Sequence, residues 1–138
     1  MAPKDVQEPV EAVSGAPDDL RAAGWKAMRA ALPGVFPEED VDLRDGRLGE
    51  ELVDIGLTAV WGALWGREGL SPRDRSLVTL SVLIALRAET ELKTHARIAL
   101  TNGLTKNEIA EVLYHAGGYA GFPAAVSART AVREALGE

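Results

Sequence analysis

Residues 71–86, which read SPRDRSLVTLSVLIAL, decide the fold. Ser71 places a hydroxyl cap in front of Pro72, and proline is favoured at the first position of a helix. Asp74 adds an acid near the positive end of the helix dipole. Because almost no polar face remains from Leu77 to Leu86, we predict a central helix covered by other helices or by another subunit.

Helical spacing and stop signals on both sides of this helix predict an all-α fold of about six helices, with no credible strand. Before it, helices are expected from Asp18 to Pro33-Gly34 and from Leu48 to Gly66 and Gly69. After it, a helix is expected from Thr90 to Asn102-Gly103. The next helix begins with a capping box at Thr105 and Glu108 and breaks at Gly117-Gly118, and a last helix ends at Leu136. The apolar stripe of the second helix comprises Leu48, Leu52, Ile55, Ala59, Val60, Ala63 and Leu64.

The chain has 138 residues, the size of one domain. Residues 1–17 are rich in Pro, Ala, Val and Glu without periodicity, so we expect a flexible N-terminal arm before a single helical domain at 18–138. The net charge of -6 without a basic cluster argues against a nucleic-acid partner. We see no signal peptide, and the uncharged run at 76–86 is too short for a membrane, so we expect a cytoplasmic protein.

The chemistry of the chain is limited by its lack of cysteine, which excludes disulfides, thiolate metal sites and thiol redox reactions. Glu91 and His95 lie four apart at the border of the buried stripe of their helix. Glu91 can orient the imidazole or hold its proton, which gives a general acid or base near neutral pH. The same spacing also fits a histidine at the edge of the core. We predict no metal site, since His95 and His115 lie far apart in sequence without a recognisable ligand pattern such as His-Glu-x-x-His.

Several other side chains are candidates for binding a substrate. Arg73 and Arg75 lie in the first turn of the apolar helix, where an arginine can clamp a carboxylate or pair with a nearby acid. Trp61 and Trp65 favour packing, although Trp65 is kept as a candidate substrate contact. His115 and Tyr119 are candidates as well, with a buried hydrogen-bonded role as the alternative.

The ordered segments at 70–80, 91–95, 102–105, 108–109 and 119–123 resemble the carboxymuconolactone decarboxylase family. The resemblance covers the C-terminal half to two-thirds of the chain. It implies an all-helical subunit that assembles into trimers or hexamers, with active sites at subunit contacts.

The resemblance also implies an activity. The superfamily includes alkyl hydroperoxidase D-like proteins, whose two cysteines fall where this chain has Ala88 and Glu91, so dithiol peroxidase chemistry is excluded here. The decarboxylase branch implies a cofactor-independent lyase for a small anionic lactone. By this resemblance, Arg75 would anchor a carboxylate. His95 would donate a hydrogen bond to the enolate oxygen and take part in the proton transfer, and Glu91 would assist His95 in that transfer.

One departure keeps other functions open. Where decarboxylase-like members often read Gly-Glu-Val-Trp, this chain has Ala63 in place of the acid. An isomerase or cyclase of a biosynthetic pathway on the same scaffold is therefore one alternative, and a non-catalytic oligomeric binding or scaffold protein is the other.

Overall fold

The computed structural model describes residues 17–138, which form helices and no strand. The helices are α1 (Pro17–Ala31), α2 (Glu51–Gly56), a π-helix (Leu57–Trp65), α3 (Pro72–Leu86), α4 (Glu89–Thr101), α5 (Lys106–Ala120) and α6 (Phe122–Leu136). The predicted all-α fold is confirmed. The expected arm lies outside the described residues except for Pro17, with which α1 begins. No helix of the described range has the length and hydropathy needed to cross a bilayer.

The start of α3 follows the sequence signals closely. The Ser71 hydroxyl accepts a hydrogen bond from the backbone N–H of Asp74 at 3.1 Å, and Pro72 is the first helical residue. This cap satisfies one of the backbone donors that a helix start leaves free. α3 therefore begins where the cap and the proline predict.

The apolar surface of α3 is covered on one side within the chain. Ser76, Leu80 and Ile84 are buried, while Val78, Val82 and Leu86 are 56%, 49% and 70% exposed. These three residues recur every four positions, so they form one outward stripe along the helix. A single chain leaves this stripe in water.

Helices α3 to α6 pack on one another around one apolar cluster. Its buried members are Leu80, Ile84, Leu92, Ala96, Ala99, Leu104, Ile109, Leu113, Ala128, Ala131 and Val132. Burial of such side chains contributes about 25 cal/mol per Å² of apolar surface. We call this part of the molecule the bundle.

The predicted break of α5 at Gly117-Gly118 is wrong. The helix continues to Ala120, and the turn follows at Gly121, whose φ of 95° lies in the left-handed region that favours glycine. A Cβ on Gly117 would lie 3.1 Å from the Cβ of Ala125, so this glycine serves the close approach of α6. Glycine inside a helix costs about 0.5–1 kcal/mol relative to alanine, which packing can offset.

The helix α1 packs against the π-helix around a separate cluster of Trp25, Met28 and Leu57. We call α1, α2 and the π-helix the hairpin. Two glycines permit its close crossing: a Cβ on Gly24 would lie 2.1 Å from the carbonyl oxygen of Leu57, and one on Gly62 would lie 2.2 Å from that of Leu20. The backbones touch here, so no larger residue fits.

The predicted apolar stripe of the second helix is mostly exposed within one chain. Leu48, Leu52, Ile55, Ala59, Val60 and Leu64 are exposed and Ala63 is half-buried, whereas Leu57 and Gly62 are buried. The segment is apolar on several sides, so spacing alone did not identify the face that packs. Hydrogen bonding from i to i+5 in the π-helix also changes the angular spacing of its residues from that of an α-helix.

Candidate active site

Helix α4 places His95 at the border of the bundle core. Leu92, Ala96 and Ala99 are buried, as predicted, and His95 beside them is half-buried. The imidazole is thus anchored on a helix whose neighbouring residues are fixed by close packing.

Three aromatic rings meet at His95. The ring centroids of His95 and Trp61 are 5.9 Å apart with planes inclined by 5°, and those of His95 and Trp65 are 5.9 Å apart at 24°. The two indoles stack on each other at 5.2 Å and 25°. We call Trp61, Trp65 and His95 the ring stack. It joins α4 of the bundle to the π-helix of the hairpin.

Burial of the imidazole favours its neutral form. The Nδ1 atom of His95 is buried and has no hydrogen-bond partner among residues 17–138. Burial lowers the pKa of His95, and the negative charge of Glu91 opposes this effect. A neutral imidazole can accept a proton at neutral pH.

Glu91 is exposed on the first turn of α4. It influences His95 through its charge, and it makes no hydrogen bond with the buried Nδ1 atom. The contact expected from the spacing of the two residues is therefore electrostatic in this structure.

Arg75 extends from α3 towards the end of the π-helix. Its Nη2 atom donates a hydrogen bond to the carbonyl oxygen of Arg67 at 2.9 Å, two residues beyond Trp65. Its Nε–H is buried without a partner in the described part of the chain. A buried donor without an acceptor costs about 1–3 kcal/mol, which an anionic oxygen at this position would offset. Arg75 therefore keeps one unsatisfied donor within the described residues.

Arg73 has a different environment. Its guanidinium forms an ion pair with Glu108, whose carboxylate also accepts from the backbone N–H of Thr105 in the capping box of α5. The hydrogen bonds from Thr105 and the charge of Arg73 lower the pKa of Glu108. Arg73 therefore pairs with a nearby acid, and this ion pair connects the start of α3 to the start of α5.

His115 and Tyr119 lie on α5, away from the ring stack. Their ring centroids are 5.3 Å apart at 37°, and both side chains are exposed. His115 and Arg73 line a concavity of about 480 Å³ between α3 and α5. The predicted site residues thus fall into two groups. Trp65 and His95 belong to the ring stack, Glu91 acts on His95 through its charge, and Arg75 contacts the carbonyl two residues beyond Trp65. Arg73, His115 and Tyr119 are at the second location.

Sequence reasoning left Trp61 out of the candidate site. The structure gives it the most parallel contact with His95. Its spacing from Trp65 by four positions was a usable signal, because such residues share one face of a helix. The π-helix that carries both indoles gave no sequence signal, although such elements are frequent at functional sites.

A metal centre has no support in the described residues. Within 17–138, no group of three His, Cys, Asp or Glu side chains is arranged to hold a metal ion.

The helices of the described residues, the half-buried imidazole on α4 and a sequence without cysteine define a class of helical proteins whose chemistry uses no thiol. The sequence model of the carboxymuconolactone decarboxylase family matches residues 51–134. This match covers more than half of the chain and includes the ring stack, Arg75 and Glu91. The chain belongs to the carboxymuconolactone decarboxylase family.

Three relatives illustrate the family resemblance. The chain is 48% identical over 68 residues to the 4-carboxymuconolactone decarboxylase of Acinetobacter baylyi, covering 49% of this chain and 51% of that protein. It is 37% identical over 92 residues to the nitrosuccinic acid decarboxylase npaB of Metarhizium robertsii, covering 67% and 62%. It is 30% identical over 105 residues to an uncharacterized 15.0 kDa protein of Paracoccus denitrificans, covering 74% and 76%. The matched part thus spans about half of the first relative and less than two thirds of the second.

Proposed function

We propose that this protein is a cofactor-independent decarboxylase that acts on a small carboxylated lactone of the 4-carboxymuconolactone type. Family membership and two relatives named as decarboxylases support this activity. The relative with the higher identity is named for the lactone, which favours it over nitrosuccinic acid as the first substrate to test.

The observation that carries the proposal is the state of His95. Its imidazole is half-buried, packed between the bundle and two indoles, and held neutral by burial. A neutral imidazole that retains one N–H can donate a hydrogen bond to a developing oxyanion, and it can move a proton between substrate atoms.

The reaction needs no electron sink beyond the substrate. The C–C bond to the carboxylate breaks and carbon dioxide leaves, while the bonding electrons pass through the ring alkene to the lactone carbonyl oxygen. The resulting enolate is then protonated at carbon. The protein has to stabilise the enolate oxygen, and we assign this to the N–H of neutral His95, which donates a hydrogen bond. The reaction also consumes one proton, which the imidazole takes up from solvent and passes to carbon as the imidazolium.

Arg75 binds a carboxylate of the substrate in this mechanism. Its buried Nε–H lacks a partner in the described residues, and its Nη2 atom is tethered to the Arg67 carbonyl, so the guanidinium is oriented before substrate arrives. Glu91 lies exposed on the same helix and tunes the imidazole through its charge, which favours the imidazolium form that delivers the proton.

A second copy of the chain completes the site in this proposal. Three concavities on the described surface are lined by other residues, and none of the three contains His95. The outward stripe Val78, Val82 and Leu86 remains exposed in one chain. Exposed apolar stripes of this kind are typical of subunit interfaces. We expect a trimer or hexamer whose interface encloses the ring stack.

Incubation of the purified protein with 4-carboxymuconolactone tests the proposal. We expect carbon dioxide release with matching loss of lactone absorbance, and both should depend on His95. If neither signal exceeds that of a protein-free control, the lactone is not the substrate. Nitrosuccinic acid is then the second substrate, measured by the same release of carbon dioxide.

A proton-transfer enzyme without decarboxylation is the second candidate function. Ala63 favours it, because a carboxylate that decarboxylase-like relatives often carry is replaced by a methyl group. Incubation in deuterated water separates the two reactions. An isomerase or cyclase incorporates deuterium while all carboxylates are retained, and a non-catalytic scaffold gives neither deuterium incorporation nor carbon dioxide.

A further inference from the structure

The ring stack links two parts of the molecule that otherwise pack separately. Trp61 and Trp65 belong to the hairpin, whereas His95 belongs to the bundle, and each part has its own apolar cluster. All three rings are close to parallel, with planes inclined by 5° to 25°. Offset stacking at such distances is an attractive geometry for aromatic rings.

We propose that Trp61 and Trp65 are positioning residues, which hold the His95 imidazole flat against their rings and keep water away from its buried edge. In this role the indoles act on the reaction through His95, and they are not a wall that contacts the substrate.

The first argument is the lack of any other support for the imidazole. Catalytic histidines are usually oriented by a hydrogen bond from one ring nitrogen to a carbonyl or carboxylate. Here Nδ1 is buried, and within residues 17–138 nothing accepts or donates a hydrogen bond there. Stacking is therefore the interaction that limits rotation of the ring about its bond to Cβ.

The second argument is the rigidity of the element that carries the indoles. The π-helix lies on α1 with backbone contact at Gly62, where even a methyl group would collide with the carbonyl oxygen of Leu20. Because the π-helix is fixed in this way, its two indoles hold the imidazole in a defined position.

The third argument concerns charge. Glu91 on the same helix is the charged group that acts on His95, and it favours the imidazolium form. The π-helix, which packs against the ring, contains no charged side chain. On α3, Arg75 donates a hydrogen bond to the Arg67 carbonyl, two residues beyond Trp65. The indoles therefore exclude water without adding a charge, and this favours the neutral ring.

A titration by nuclear magnetic resonance tests the inference without any substrate. The chain has two histidines, so a His115→Gln background leaves His95 as the sole imidazole. In Trp61→Leu and Trp65→Leu we expect the pKa of His95 to rise towards its ordinary value, and in Trp61→Phe and Trp65→Phe we expect a smaller rise. Phe36→Leu is the matched control, because Phe36 packs on the hairpin cluster and contacts Trp25. Phe36→Leu should lower the free energy of unfolding and leave the pKa of His95 unchanged.

A second measurement protects the test against variants that fail to fold. Stacked indoles shift the carbon-bound protons of the His95 ring upfield, and this shift is read in the wild-type chain. We expect it to shrink in the Phe variants. The inference is wrong if the shift is absent, or if the folded Leu variants titrate like the wild type.

The kinetic part of the inference rests on the proposed function. With a confirmed substrate, the Leu variants should lower kcat roughly tenfold to a hundredfold and leave KM within about twofold, because misplacement of a catalytic group by 1 Å can cost about a hundredfold. A raised KM with unchanged kcat would make the indoles a substrate wall and overturn the inference. If no substrate turns over, the proposed function fails, and the titration still decides the role of the indoles.

Discussion

The imidazole plane of His95 lies 5° from the indole plane of Trp61, with ring centroids 5.9 Å apart. This contact joins the bundle to the hairpin, whose apolar clusters are otherwise separate. The position of the His95 imidazole therefore depends on how α1 packs against the π-helix. We expect substitutions at that distant contact to change the properties of His95.

The close crossing of α1 and the π-helix predicts a steric effect at Gly62. In Gly62→Ala the new Cβ would lie 2.2 Å from the carbonyl oxygen of Leu20, so the backbones must separate. We expect a loss of about 1–3 kcal/mol in the free energy of unfolding, measured with urea. Gly56→Ala is the control, because nothing lies within 4 Å of a Cβ there. It should stabilise the helix by about 0.5–1 kcal/mol, and equal losses in both variants would contradict the crossing.

The proposed proton transfer predicts the effect of removing the imidazole. His95→Gln should lower kcat for the confirmed substrate by about a hundredfold to ten-thousandfold, the usual contribution of general acid–base catalysis. Lys93→Gln, on the same helix, breaks an ion pair with Glu134 and should keep kcat. Steady-state carbon dioxide release measures both. Comparable rates for His95→Gln and the wild type would remove His95 from the mechanism.

The buried Nε–H of Arg75 predicts a binding defect. In Arg75→Gln the charged hydrogen bond to a substrate carboxylate is lost, which is worth about 1.5–3 kcal/mol. We expect KM to rise roughly tenfold to a hundredfold. Arg47→Gln changes an exposed arginine of the loop before α2, and it should leave KM in place. An effect of equal size in both variants would point to general electrostatics instead.

Burial of His95 predicts a pH dependence of stability. In the unfolded chain the group titrates near 6.5, and burial lowers its pKa in the fold. Below pH 6.5 the unfolded chain therefore binds a proton that the folded chain does not. The contribution of neutral His95 to the free energy of unfolding is complete above this pH, and it is lost as the pH falls through the pKa that His95 has in the folded chain. Urea unfolding between about pH 7 and 5 should show a steeper decline for the wild type than for His95→Gln. Parallel curves would contradict the burial effect.

The outward stripe of α3 predicts an oligomer. Val82 is 49% exposed in the middle of this stripe, and a carboxylate there would be desolvated at an interface. We expect Val82→Asp to reduce the molar mass in light scattering from a trimer or hexamer to the single chain. Val35→Asp places the same charge on an exposed loop valine and should keep the assembly. A single-chain mass for the unmodified protein would remove the proposed second copy from the site.

Local signals predicted the ends of several helices correctly. The cap at Ser71, the capping box of Thr105 and Glu108, and the stop at Asn102-Gly103 are all present. Each involves groups within about four residues of one another, so the chain itself brings the partners together.

The signals failed where distant packing determined the outcome. Gly117 was predicted as a break, and it permits α6 to approach α5 instead. The apolar stripe of the second helix is mostly exposed within one chain, because the segment offers more apolar residues than one face can bury. Propensity and spacing do not include the neighbour that selects a face.

By itself, the sequence determined an all-α chain without thiol chemistry and placed His95 at the border of a buried stripe, because caps, spacing and composition are local properties. Tertiary structure alone decided that two indoles cover the imidazole, that Arg73 pairs with Glu108, and that Arg75 keeps a buried donor without a partner in the described residues. These arrangements depend on helices distant in sequence, and spacing within one helix does not specify which neighbour it will meet.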